Sequence, residues 1–200
     1  MAQEPRTGSL EQVLRCLRLL ALSPAFTLEM DAVIASMGTG AFVPTNLVDA
    51  QGNSFSLPGL VDAEFGDPGG WVSTAFQEVT YSTALVPLPP FPRLQLFGVP
   101  GRLEQSEVLD TELAEGWVYT IDAIVVEGND RADPALRSAL ALMDGFERLV
   151  RRNAPSLGGL VQLITVEGPA APGGPVEADK AGVVAGVMQR FRVISLRALV

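Results

Sequence analysis

The chain has 200 residues, 48% of them hydrophobic, with 23 acidic and 14 basic side chains for a net charge of −9. That length and apolar content suit one folded domain with a sizeable core, and the acidic balance argues against a protein that grips nucleic acid by neutralising phosphates. A single cysteine, Cys16, and no histidine exclude an internal disulfide framework, leave no basis for a cysteine-based zinc site, and remove every catalytic scheme built on an imidazole.

The first nine residues are polar and lack the apolar core of a signal peptide. Ser9-Leu10-Glu11-Gln12 then fits a capping box, in which the serine hydroxyl and the glutamine amide each satisfy a free backbone N–H. Leu10, Val13, Leu14, Leu17, Leu20 and Ala21 follow at helical spacing. Cys16 falls on that apolar side, where a buried thiol is the simple reading. Ser23-Pro24 ends the helix, because the residue before proline avoids the α region.

Residues 25–75 read as a large insertion or long ordered loop within a single domain spanning 1–200. Phe26–Ile34 fits either a strand or a short helix. Beyond it, glycines and prolines recur among Phe42, Val43, Phe55, Leu57, Leu60 and Phe65, too apolar for a linker and too interrupted for long helices. The uncharged run Ala32–Val48 is broken by Gly38, Gly40 and Pro44 and is too short to cross a bilayer. No membrane role is expected, and the chain reads as made in a cytoplasm-like compartment.

Phe76–Val86 alternates as a strand. Pro87, Pro89, Pro90 and Pro92 end it and stiffen the connection. Arg93–Phe97 is a short strand closed by Gly98-Val-Pro-Gly101. Residues 102–115 carry Glu104, Glu107, Asp110, Glu112 and Glu115 against Arg102 alone, the pattern of a solvated acidic face.

Glu115–Glu127 is the longest strand in the sequence. Trp117, Tyr119, Ile121, Ala123 and Val125 share one face; Val118, Thr120, Asp122, Ile124 and Val126 share the other. Both faces are largely apolar, so both need a cover. Gly128-Asn129-Asp130 is a turn. Asp133 is placed to cap the next helix with Pro134 at its first position. Leu136, Ala139, Leu140, Met143, Phe146, Leu149 and Val150 form its apolar stripe, and Asn153-Ala154-Pro155 ends it. Leu160–Val166 is a strand, Gly168–Pro175 a turn-rich loop, and Gly182–Val200 a last long strand with a bend or bulge near Gly182 and Gly186. The fold class is therefore α+β: a mostly antiparallel sheet packed by two helices.

No chemistry declares itself in this order of elements. Gly38-Thr-Gly40 lacks the third glycine of a dinucleotide loop, and no glycine run precedes a Lys-Ser/Thr pair. Lys180, the only lysine, sits between Asp179 and Ala181 beside the Gly/Pro loop, as a solvated lysine would. The carboxylate groupings Asp62/Glu64/Asp67 and Glu107/Asp110/Glu112 have no calcium-loop spacing. They leave a carboxylate-based hydrolase as an alternative, but the expectation is a protein with no enzymatic activity and no cofactor.

The ordering of pieces resembles the tail terminator (tail completion) proteins of long-tailed bacteriophages. The matching pieces are the Ser9–Leu22 helix, Arg93–Phe97, Trp117–Glu127, Asp133–Asn153, Leu160–Glu167 and Gly182–Val200. The match is one of pattern and size rather than of signature residues, and residues 25–75 would be an enlarged insertion. The resemblance implies a virion protein assembled in the host cytoplasm. It would form a homo-oligomeric, hexameric ring at the head–tail junction, contacting the tail tube protein and the head–tail connector. Genomic DNA would pass through its lumen. On that reading Glu104, Glu107, Asp110 and Glu112 line the lumen, where like charge keeps DNA from adhering. Trp71, Pro172, Lys180 and Val183 become candidate contacts to neighbouring subunits or rings. Another phage neck, baseplate or minor tail component is the second alternative.

Overall fold

The computed structural model describes residues 9–38, 47–55, 70–81, 90–99, 114–178 and 182–198. Three helices, α1 (Leu10–Ala21), α2 (Pro24–Gly38) and α3 (Ala132–Arg152), accompany a two-stranded sheet and a five-stranded sheet. The small sheet is the hairpin β1 (Leu47–Val48) and β2 (Ser54–Phe55). The large one holds β3 (Glu78–Thr80), β4 (Arg93–Val99), β5 (Ala114–Asn129), β6 (Leu163–Ala178) and β7 (Gly182–Ala198), in the order β3-β4-β5-β7-β6. Every pairing in it is antiparallel except β3 with β4, which run parallel. The α+β class with a mostly antiparallel sheet is thus what the chain adopts.

The capping box forms as the sequence predicts. The Ser9 N–H donates to Gln12 Oε1 at 2.8 Å, and the Gln12 N–H donates to Ser9 Oγ at 3.3 Å. α1 buries Val13, Leu17 and Ala21. Pro24 then opens α2, so one proline both ends the first helix and starts the second. Phe26–Ile34 is therefore helical, and the sheet is accompanied by three helices where the pattern predicts two. The period was obscured because α2 is apolar on nearly every side: Phe26, Met30 and Val33 face the core, and Ala25, Leu28, Ala32 and Ala35 face outward.

α3 also begins earlier than expected. Arg131 is the N-cap residue and makes no side-chain cap bond, while Asp133 lies inside the first turn, where its charge complements the macrodipole. Asn129 Oδ1 accepts from the Arg131 N–H at 3.3 Å, so the turn's own asparagine orders the chain ahead of the helix. Asn153 closes the other end, its Nδ2 donating to the Leu149 carbonyl at 2.8 Å.

α3 packs on β5, β6 and β7, and α2 packs on α3. Tyr119, Ile121, Ala123 and Val125 of β5 point into this helical side together with Val187, Phe191 and Val193 of β7. Phe146 meets Phe191 edge-on with centroids 5.9 Å apart, and Phe26 stacks on Phe76 at 4.7 Å. Gly145 lets α2 and α3 approach closely: a Cβ there would lie 2.5 Å from Met30 Sδ. Arg152 and Glu29 form an ion pair between the same two helices.

Two further differences concern strands. Of the predicted strand Phe76–Val86, Glu78–Thr80 is β3, and residues 82–89 lie outside the described ones. The predicted loop Gly168–Pro175 is instead part of β6, which continues to Ala178. It pairs with β7 through two irregularities, between Glu167 and Ala171 and between Gly173 and Val176. An edge strand tolerates prolines and bulges that a central strand cannot, and β6 is an edge. The extra residues fall on β6, across from Gln189 and Ala185, the second irregularity lying next to Gly186.

Candidate assembly surfaces

The sheet has two unlike faces. Opposite the helices, Val118, Thr120, Asp122 and Ile124 of β5 are half-buried, and Met188 and Arg190 of β7 are exposed. No helix among the described residues packs there. Asp122 and Arg190 are cross-strand partners at the centre of this face. Arg190 Nε and Nη2 donate to the two Asp122 oxygens at 2.6 and 2.8 Å, a fork that fixes both side chains in the sheet plane's outer layer. That carboxylate raises the arginine's pKa, first by hydrogen bonding and then by charge.

Toward β3 the same face becomes polar and closed. Arg93 pairs with Glu78 at 2.5 Å, beside Thr80 and Gln95 in register. Gln95 is 1% exposed, and its Oε1 and the Thr80 Oγ1 are buried without hydrogen-bond partners, oxygens of the kind that a buried water commonly satisfies.

On the helical side, one buried carboxylate organises the segment before β3. Glu127 Oε2 accepts from Ser138 Oγ of α3 at 2.9 Å, and Oε1 accepts from the Gly128 N–H at 3.1 Å. Ser138 Oγ in turn accepts from the Ser73 N–H at 3.2 Å. Burial pushes the Glu127 carboxyl above its ordinary value, while hydrogen bonds from Ser73, Ser138 and Gly128 act against that rise. Little in the local pattern marks this group, because Glu127 looks like the polar end of a strand.

The predicted contact residues fall in separate places. Trp71 is half-buried and packs against the core. Pro172 is exposed on edge strand β6 opposite Val187, and Val183 is half-buried at the start of β7 opposite Asn129. Pro172 and Val183 thus share one hairpin, and Trp71 is not part of it. Lys180 and the predicted lumen residues Glu104, Glu107, Asp110 and Glu112 lie outside the described residues, as do Asp62, Glu64 and Asp67. The backbone of Trp117 lies in β5 opposite Ser195. Among the described residues, no three carboxylate or thiol side chains converge as a metal site would require, and no single helix is long and apolar enough to cross a membrane. Gln189, 0% exposed, donates from Nε2 to the Glu167 and Gly168 carbonyls at 3.2 Å each and so pins the first β6 bulge.

Exposed large apolar side chains complete the surface. Leu19, Leu22 and Leu28 lie on the outer side of α1 and α2, at 65%, 49% and 69% exposure. Val99, Val176 and Met188 lie on the sheet face away from the helices. Comparison with known protein families and with characterised proteins finds no match to this chain.

Proposed function

We propose that this chain is a structural ring subunit of a long-tailed phage, acting at the head–tail junction. There it would cap the tail tube and join it to the connector while DNA passes through the lumen. The observation that carries the reading is the second face of the central sheet. β5 and β7 run antiparallel for sixteen residues, and only one side of this ribbon is covered by α3. The exposed Met188 and the half-buried Val118 and Ile124 on the other side are the kind of surface that a neighbouring subunit buries on assembly.

The mechanism is geometric rather than catalytic. Each subunit supplies a rigid sheet, and ring closure removes the remaining apolar face from water. The surplus negative charge discourages DNA from adhering during transit. The contacts expected at neighbouring rings are those of the β6–β7 hairpin, with exposed Pro172 on its outer strand. Immunogold labelling of intact virions tests the location. Label at the head–tail junction supports the reading; label at the distal tip, or no label on virions, refutes it.

A further inference from the structure

The two edges of the large sheet are unlike. β3 forms one of them and is only three residues long. β6 forms the other and runs for sixteen residues. At its start the chain satisfies this edge itself, since the Ile164 N–H donates to the Pro155 carbonyl at 2.7 Å. Beyond that point no strand among the described residues pairs with the outer side of β6. Residues 167–169, 171–173 and 176–177 are exposed there.

A long exposed edge presents a row of N–H and C=O groups with which another strand can pair. Charge is one guard against such pairing, but β6 carries only Glu167 and Glu177 and no basic residue. Proline is another, because its ring replaces the N–H that an added strand would use. All the prolines of the large sheet lie in this one strand. β3, β4, β5 and β7 have none, whereas β6 has Pro169, Pro172 and Pro175. Any four consecutive residues from Gly168 to Val176 include one of them, so no short run of this stretch offers an unbroken set of donors. The extra residues of β6 fall in the same stretch, between Glu167 and Ala171 and between Gly173 and Val176. Such bulges twist an edge out of the alignment that a partner strand requires. Nor does the core use these rings: Pro169 and Pro172 are both exposed.

We propose that Pro169, Pro172 and Pro175 keep the outer edge of β6 closed to strand addition, so that copies of this chain do not join by extending the sheet through it. The partner they exclude is a second β6. The edge is the same in every copy, and two such edges can pair antiparallel about a two-fold axis. The inference stands apart from the ring reading; within a ring it confines the contacts between subunits to surfaces other than backbone pairing at this edge.

The test compares the full chain with a variant carrying Pro169→Thr, Pro172→Thr and Pro175→Thr, threonine being suited to exposed strand positions. Both are checked for native circular dichroism. Sedimentation velocity over a concentration series should give the variant a species of twice the unaltered protein's mass, or a ladder of multiples, that the unaltered protein lacks. Hydrogen exchange should show β6 amides gaining protection in step with that association. Pro172→Thr alone serves should the triple change disturb the fold. A folded variant that sediments as the unaltered protein does at every concentration overturns the proposal. Association without new protection in β6 overturns it as well, because the copies would then be meeting elsewhere. So does protection of β6 amides that grows as the unaltered protein itself assembles, since its edge would then be pairing despite the prolines.

Discussion

Ser138 on α3 donates its hydroxyl to the carboxylate of Glu127 on β5 at 2.9 Å, at a point where Glu127 is 4% exposed. The bond joins a strand to the helix that covers it, and Ser73 extends the network to the segment ahead of β3. Because burial raises the folded-state pKa of Glu127, its contribution to stability is fully present below the unfolded pKa. That contribution is lost as pH rises through the folded one. Glu127→Gln keeps the shape and an acceptor without the charge. Urea unfolding at several pH values should show the variant gaining on the unaltered protein as pH rises from about 4 toward 8. A difference that is flat with pH would show that the carboxyl titrates normally.

Ser138→Ala removes a donor from that same buried carboxylate and should destabilise the fold by about 1.5–3 kcal/mol near neutral pH. The loss should be smaller at low pH, where the carboxyl is protonated. Chemical denaturation at pH 4 and pH 7.5 separates the two conditions.

The contact between Gly145 and Met30 can be read by a double-mutant cycle. Gly145→Ala alone places a methyl group 2.5 Å from Met30 Sδ and should cost about 1–3 kcal/mol through overpacking. In a Met30→Ala background the clash is gone, and the same change should be neutral or stabilising by up to about 1 kcal/mol through helix propensity. Thermal unfolding of the four proteins measures the coupling directly.

Asp122 and Arg190 should behave differently from that core pair. Although their geometry is bidentate, Arg190 is exposed, so solvent weakens the attraction. Arg190→Ala should change stability by only about 0–1 kcal/mol, and less in high salt. A loss well above that range would mean the fork organises the sheet rather than decorating it.

How much of this was legible in the sequence depended on how clean the local pattern was. The Ser9 capping box, the β5 alternation and the α3 stripe follow rules that act within a few residues, and they appear in the structure as expected except for Leu140, which the stripe placed inward and the structure leaves exposed. α2 was ambiguous because Leu28, Ala32 and Ala35 place apolar residues on its outer side, erasing the contrast that marks a helical face. Gly168–Pro175 looks like a loop because glycine and proline normally end strands; its place at the sheet edge, which no local pattern reveals, allows β6 to continue through it. The β3–β4 parallel pairing and the Glu127 network depend on residues far apart in the chain. The two-sided apolar character of β5 is visible from alternation alone, and the proposed assembly rests on it.

Sedimentation velocity of the full chain over a wide concentration range tests the central claim most directly. A ring subunit should give one discrete species near a six-fold multiple of 21.2 kDa, with closed annular particles in electron micrographs of the same sample. A single 21.2 kDa species that persists at the highest concentrations would contradict it.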